Sequence, residues 1–310
     1  MKSKTNKMKI AVASRSFSKN NLLRAELESQ YPDAEIVYND NDKVLSGDEL
    51  VSFLANATHA ITGLEIIDEP LLKACPKLKK ISKYGVGLDM IDIDALKKHG
   101  VHLGHSDGVN KRSVSELTLG FMLLLMRNMH VSNKNLVQQK WIRAPGALLS
   151  KKTIGIIGCG NIGKDLVHLL KPFDCTLLVH DIVDYSDFYQ KYGVQKVTLK
   201  ELLKQSDIVT VHVPKTKQTI NLISDQEFET MKPSSFLINT ARGEIIDENA
   251  LLNALNENKI LAAAADVFTI EPPVDFKLIQ HPRFYGTPHI GGNADEAILA
   301  MGLASIKNLA

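Results

Sequence analysis

The sequence predicts an α/β protein of two doubly wound parallel-sheet domains, one flavodoxin-like and one of the Rossmann, dinucleotide-binding type. Three observations predict it. Short β-branched runs alternate with helical patterns over residues 8–105, which implies parallel strands joined by helical crossovers. After a long apolar helix the alternation resumes near residue 152. The resumed pattern opens on "GCGNIG", Gly158 to Gly163, between a strand and a helix. A chain of 310 residues is long enough for both domains.

In the first half, "KIAVAS", "AEIVY", "HAITG", "LKKISKYG" and "VHLG" read as strands. "NNLLRAELESQ", "GDELVSFLANA", "EPLLKACP" and "DIDALKKH" read as the helices between them. Ser113 and Glu116 in "SVSE" form a capping-box pattern that predicts the start of a helix running to about Arg127. "KTIGIIG", "TLLVHD", "DIVTVHV", "SFLINT" and "LAAAADVF" are the strands of the second alternation. Helices open at "NIGKDLVHLLKPF", "TLKELLKQ", "SDQEFETM" and "DENALLNALNENK", with capping boxes at "TLKE" and "SDQE". A last helix follows Asn293, the predicted N-cap, and is expected to return to the first domain. The predicted division is residues 1–108 plus 289–310 for a substrate domain and 109–288 for a nucleotide domain.

Composition excludes several classes. A hydrophobic fraction of 44%, a charged fraction of 23% and a net charge of +2 describe an ordinary globular chain with nothing that points to nucleic acid. The basic N-terminal "MKSKTNKMK" lacks a following apolar stretch, so it reads as a frayed tail and not as a secretory signal. The longest apolar run, "LTLGFMLLLM", is too short for a bilayer, which needs ~20 residues. Cys75, Cys159 and Cys175 show no metal or redox spacing, and a cytoplasmic location is the expectation.

The glycine pattern carries a cofactor prediction. Gly158 permits a tight turn, Gly160 lets backbone approach a pyrophosphate, and Gly163 lets the helix pack close to the strand. The phosphates would meet the helix N-terminus at Asn161 and Ile162. Asp181 closes the next strand, where a carboxylate accepts the ribose hydroxyls and repels a 2′-phosphate. No arginine follows it, which favours NAD over NADP.

Chemistry is expected at the carboxyl ends of the strands. Arg242 follows "SFLINTA", Glu271 follows "AAAADVF", and His289 follows "RFYGTP". A guanidinium holds a carboxylate and polarises a carbonyl, a histidine supplies a proton, and a carboxylate beside it stabilises the imidazolium. With NADH this set would reduce a 2-oxo acid at C2. Each residue alone admits a plainer role, as a surface arginine, an exposed loop glutamate or a loop histidine, and His180, His212 and His281 compete for the last.

The motifs "SKYGVGLDMIDIDAL", "GVNKRSVSEL", "GIIGCGNIGKDL", "INTARGEIIDENAL", "AAAADVFTIEPP" and "TPHIGGNADEA" occur in that order. Through them the chain resembles the D-isomer-specific 2-hydroxyacid dehydrogenases, and within them the 3-phosphoglycerate dehydrogenase-like branch. The resemblance implies an Arg242, Glu271 and His289 catalytic set, a D-2-hydroxy acid product, a homodimer through the nucleotide domain and a cleft that closes between domains. It implies that Val86 and Gly87 clamp the substrate carboxylate, that Asn110 lines the cleft and that Lys83 lies near a substrate phosphate. It places His212, Val213 and Pro214 beside the adenine, Thr240 and Ala241 beside the nicotinamide ribose, and Asp266 at the carboxamide, with Gly291 giving the cofactor room. Where that branch carries a second arginine the chain reads "ITGLE", residues 61–65, which counts against phosphoglycerate among the phosphoglycerate, glycerate and glyoxylate-type substrates and leaves glyoxylate, hydroxypyruvate or a larger 2-oxo acid open. A chain ending at Ala310 is expected to lack the regulatory domains that many of that branch append. The same fold also serves NADH-sensing corepressors, a second reading that the full Arg, Glu and His set disfavours.

Overall fold

The computed structural model describes residues 7–41 and 43–310. Residues 1–6 of the basic N-terminal segment, where a frayed tail is expected, lie outside the described residues. The chain forms two compact units, Met1–Asn110 with Ala294–Ala310, and Lys111–Asn293.

The first unit is built on β1 (Lys9–Val12), β2 (Glu35–Tyr38), β3 (His59–Thr62), β4 (Lys80–Lys83) and β5 (His102–Gly104). All pair in parallel in the order β2-β1-β3-β4-β5. Alternation along β1 sends Ala11 to a core with Leu50, Leu72 and Ile81, and Ile10 and Val12 to a core with Phe17, Leu23 and Ile306. The terminal helix Asp295–Lys307 belongs to this second core. Gly302 brings it against helix Asn21–Gln30, because a Cβ there would lie 2.2 Å from Leu23 Cδ1. Ser82 Oγ donates to the Ser305 carbonyl at 2.6 Å and so ties the helix to β4. Burial of Met301 and Ile306 contributes on the order of 1.5–3 kcal/mol each.

Asn293 is not the N-cap of that helix. Its N–H closes a turn onto the Ile290 carbonyl at 2.8 Å, and Ala294 takes the cap position. Asp295 and Glu296 then supply the negative charge that a helix start favours.

The second unit is built on β6 (Thr153–Ile157), β7 (Thr176–His180), β8 (Gln195–Lys196), β9 (Ile208–Val211), β10 (Phe236–Asn239), β11 (Ala262–Ala265) and β12 (Phe284–Gly286). The parallel order is β12-β11-β10-β9-β6-β7-β8. Strand order reverses between β6 and β9, so the glycine turn after β6 sits at the topological switch point. The capping boxes at Thr198 and Ser224 form as expected. The one at Ser113 does not. The helix begins earlier, at Lys111, and Ser113 Oγ donates instead to the Gly291 carbonyl at 2.5 Å. Arg112 and Ser115 both reach Asp165, which anchors this helix to helix Asn161–Leu170.

The observed divisions fall at Asn110 and Asn293, beyond the 108 and 288 read from the sequence. The later division has a direct cause. The segment from Thr287 to Gly291 is hydrogen-bonded to Asp266, so His289 belongs to the second unit and not to the terminal segment. Among the described residues no helix is long and apolar enough to cross a membrane.

Candidate active site

Arg242, Glu271 and His289 all lie in the second unit, on loops that leave β10, β11 and β12. Buried polar side chains hold the first and third of these loops, Asn239 and Asp266. Asn239, the last residue of β10, accepts the Ala241 N–H at 3.0 Å and donates to the Arg242 carbonyl at 2.8 Å. That clamp turns the chain so that Arg242 Nη1 bonds the Ala241 carbonyl at 2.7 Å. Gly243 then passes against the next loop so closely that a Cβ would lie 2.0 Å from the Phe268 carbonyl carbon. The glycine after the arginine is required by this approach.

The loop after β11 is tied down at two backbone donors. Phe268 N–H donates to Glu271 Oε1 at 2.9 Å, and Thr269 N–H donates to Glu248 Oε1 at 2.6 Å. Glu271 therefore has one oxygen fixed and one to present. That second oxygen, Oε2, lies 2.6 Å from His289 Nδ1.

His289 sits at φ +54°, a left-handed conformation uncommon for a side-chain-bearing residue. Asp266 holds it there. The Asp266 side chain is 1% exposed and takes three donors, the Thr287 hydroxyl at 2.6 Å and the N–H groups of Ile290 and Gly291 at 2.7 Å each. Its backbone carbonyl accepts the His289 N–H at 2.8 Å. A Cβ on Gly291 would come 2.9 Å from Asp266 Oδ2, so the glycine makes room for this carboxylate. Thus the structure gives Asp266 and Gly291 a role in shaping the histidine loop, one the sequence did not signal.

The electrostatics follow the geometry. The hydrogen bond to Glu271 raises the His289 pKa above its usual value; burial opposes this, the charges of Glu271 and Asp266 reinforce it, and Arg242 opposes it. For Glu271, burial pushes upward, but the His289 and Phe268 hydrogen bonds and the nearby cations hold its carboxyl below the usual range. A pair of this kind favours the charged imidazolium and leaves Nε2 as the nitrogen that can exchange a proton. Among the competing histidines, His212 is driven by burial to about 3 and is neutral, with Nε2 on Thr210 Oγ1 at 2.9 Å. His180 bonds the Val197 carbonyl at 3.2 Å, and His281 accepts the Arg283 N–H, also at 3.2 Å.

The glycine turn has the shape a dinucleotide needs. Gly158 has φ +94°, and a Cβ there would lie 2.6 Å from the His212 carbonyl oxygen and 2.8 Å from Val213 Cγ1. Gly163 lies against Gly158, where a Cβ would fall 2.3 Å from its carbonyl oxygen. Gly160 faces open space, with nothing within 4 Å of a Cβ, and it is the N-cap of helix Asn161–Leu170. The first N–H groups of that helix, at Asn161 and Ile162, have no acceptor within the helix. A diphosphate therefore finds both room and donors here. Asp181 is braced through Oδ2 by Cys159 N–H at 2.5 Å and through Oδ1 by Val183 N–H at 2.8 Å. Further lone pairs remain for sugar hydroxyls. The next residue, Ile182, is 98% exposed and carries no charge. Thr240 Oγ1 shares a hydrogen bond with Thr118 Oγ1 at 2.9 Å, Ala241 is buried, and Pro214 is exposed.

The remaining predicted residues lie in the first unit. Val86 and Gly87 follow β4 in a loop whose Val86 carbonyl accepts from His105 Nε2 at 2.8 Å. His105 is a brace that no sequence motif signalled. Lys83 is buried, its Nζ donating to the carbonyls of Gly63 at 2.6 Å and Tyr84 at 2.9 Å. Asn110 is the last residue of that stretch and is half-buried.

Known proteins resemble this chain over most of its length. The profile of the D-isomer specific 2-hydroxyacid dehydrogenase NAD binding domain matches residues 119–291. A D-3-phosphoglycerate dehydrogenase of Bacillus subtilis is 39% identical over 254 residues, which cover 81% of this chain and 48% of that protein. A glyoxylate reductase of Thermococcus litoralis is 34% identical over 252 residues, covering 78% of this chain and 76% of that protein. A D-lactate dehydrogenase of Aquifex aeolicus, solved with NAD and lactic acid, superimposes with a TM-score of 0.84 at 26% identity, covering 96% of this chain and 93% of that one. The chain spans about half the length of the D-3-phosphoglycerate dehydrogenases it matches.

Proposed function

The chain belongs to the D-isomer specific 2-hydroxyacid dehydrogenase family, with an NAD-binding second unit, and we propose that it interconverts a 2-oxo acid and the corresponding D-2-hydroxy acid. The observation that carries this reading is the 2.6 Å contact between His289 Nδ1 and Glu271 Oε2 beside Arg242. NADH, when bound, supplies the hydride to C2. Gly158, Gly160 and Gly163 with the N–H groups of Asn161 and Ile162 would hold its diphosphate, and Asp181 the adenosine ribose. His212, Val213 and Pro214 would flank the adenine, with Thr240 and Ala241 near the nicotinamide.

In reduction, His289 Nε2 gives its proton to the C2 oxygen as that oxygen gains electrons. Glu271 keeps the imidazolium charged until then. Arg242 orients the substrate carboxylate and polarises the carbonyl, and the Val86–Gly87 backbone supplies further donors to the carboxylate. In oxidation His289 starts neutral and removes the hydroxyl proton. Lys83 and Asn110 are the further residues of the first unit assigned to the substrate.

A homodimer through the second unit and a cytoplasmic location are part of the same proposal. The first is supported by the apolar stretch at 137–148, where Val137, Trp141, Ile142 and Leu148 are all exposed. The second is supported by three free thiols.

The test is loss of NADH absorbance when a panel of 2-oxo acids is added, repeated with NADPH. Turnover of at least one acid to a D-configured product, faster with NADH, is expected. No turnover with any acid would sink the proposal, and equal kcat/KM for the two cofactors would remove the role given to Asp181.

A further inference from the structure

Strands β1, β3 and β4 are neighbours in the first unit, with β3 in the middle. The turn after β3 carries Gly63, Leu64 and Glu65. Leu64 and Ile66 are exposed, yet Glu65 between them is 2% exposed. Its Oε2 accepts the Gly63 N–H at 2.5 Å. From β4, Lys83 reaches the carbonyl of the same Gly63 at 2.6 Å. Both polar groups of this residue at the carboxyl edge of the sheet are thus engaged by buried charged side chains. Burial raises the Glu65 pKa, while backbone hydrogen bonds and the charges of Lys83 and Arg15 oppose the rise. The carboxylate and the lysine are suited to balance each other there, since a buried charge needs a partner of opposite sign.

We infer, building on the 2-oxo acid reading above, that Glu65 is a specificity-determining residue, a counter-ion to Lys83 that restricts the chain to 2-oxo acids whose tail carries no second negative charge. The Val86–Gly87 loop assigned to the substrate carboxylate follows β4, the strand beside the one that leads to Glu65. A phosphate on the far end of a three-carbon acid brought to these strand ends finds the lysine already balanced by Glu65. The Gly63 N–H is bonded to the same carboxylate. Lys83 also has two carbonyl acceptors. Rejection of an anionic tail is built here from missing attraction.

The experiment compares hydroxypyruvate with 3-phosphohydroxypyruvate in the wild type and in Glu65→Gln, which keeps the size of the side chain and an acceptor for Gly63. Wild-type kcat/KM is expected to favour hydroxypyruvate by at least about tenfold. The variant should narrow that ratio by about tenfold, through KM for the phosphorylated acid, as release of one cation from its counter-ion predicts. A wild type that prefers the phosphorylated acid, or a ratio that the substitution leaves in place, overturns the inference without touching the dehydrogenase reading. A wild type that turns over no 2-oxo acid at all counts against that reading instead, and the inference is then decided by binding. With NAD present, 3-phosphoglycerate should raise the Tm of Glu65→Gln and not that of the wild type; equal shifts overturn it. If the variant does not fold, competition on the wild type answers the question, with D-glycerate expected to bind at least about tenfold more tightly than 3-phosphoglycerate. The reverse order overturns the inference.

Discussion

Each unit buries a carboxylate just beyond the end of a strand of its sheet, and the two are used in opposite ways. Asp266, after β11, gathers donors 21 to 25 residues away along the chain. Glu65, after β3, takes its donor from Gly63, two residues away. A carboxylate with distant donors fixes the position of another segment. One with a local donor fixes only itself, and its charge serves to balance that of Lys83. Burial alone does not distinguish a strut from a counter-ion; the origin of the hydrogen bonds does.

The largest effect that would break this comparison is expected at the residue the strut supports. His289→Ala should lower kcat by ~10²–10⁴-fold, the usual range for lost acid–base assistance. NADH binding should persist, because the glycine turn and Asp181 do not depend on that side chain. A kcat within a few-fold of wild type would end the role assigned to His289. Asp266→Ala comes next. It strands two backbone N–H groups and a hydroxyl in a buried setting, each worth ~1–3 kcal/mol if unsatisfied. The loop should shift and carry His289 with it, and a displacement of about 1 Å can cost ~10²-fold in rate. Urea unfolding together with kcat measures both. Full activity in a destabilised Asp266→Ala protein would show that the loop keeps its shape without the strut.

A smaller change sharpens the pairing of Glu271 with His289. The hydrogen bond to Glu271 is the leading cause of the raised histidine pKa. Reduction requires His289 protonated, so kcat for reduction should fall as pH rises through the pKa in the complex. Glu271→Gln removes the charge that stabilises the imidazolium, the pKa drops, and the falling limb moves to lower pH. In the oxidative direction the rising limb should move the same way. A limb that stays in place or moves upward would show that Glu271 does not govern the histidine.

Much of this was legible in the sequence because strands and glycine turns leave local signals. The strands of both sheets show as short β-branched or alanine-rich runs, and Arg242, Glu271 and His289 stand out as polar residues just beyond such runs. Elements without an apolar stripe left no such mark. Helix Met129–Val137 has no buried residue, and β8 is two exposed residues at a sheet edge. Helices Arg15–Ser18 and Lys277–Gln280 are single turns, too short for a period to show. Helix Ser186–Tyr192 fully buries Tyr189 alone, with Phe188 and Tyr192 half-buried against the same core. The support of the site was hidden for a different reason. Asp266 and His105 act through partners that only the fold brings near, and a polar residue at a strand end is the one hint they leave.

Ser113 shows that last point most sharply, and it yields the smallest expected effect. Its spacing to Glu116 has the same form as that of Thr198 to Glu201, yet only the second pair forms a cap. Thr198 Oγ1 accepts the Glu201 N–H at 3.2 Å, a local bond. Ser113 Oγ donates to the Gly291 carbonyl, while Asp266 takes the Gly291 N–H, so this glycine is held from both sides. Thr198→Ala should cost about 1 kcal/mol of stability through the lost cap and leave kcat unchanged. Ser113→Ala should cost a similar ~1 kcal/mol for one lost hydrogen bond, and it should also lower kcat by a few-fold. The second effect arises because the residue released lies two positions beyond His289. Equal losses of stability with unequal losses of kcat would separate a helix cap from a strut of the active site. If Ser113→Ala instead leaves kcat unchanged, Asp266 alone holds the histidine loop and the contact from Ser113 is only packing.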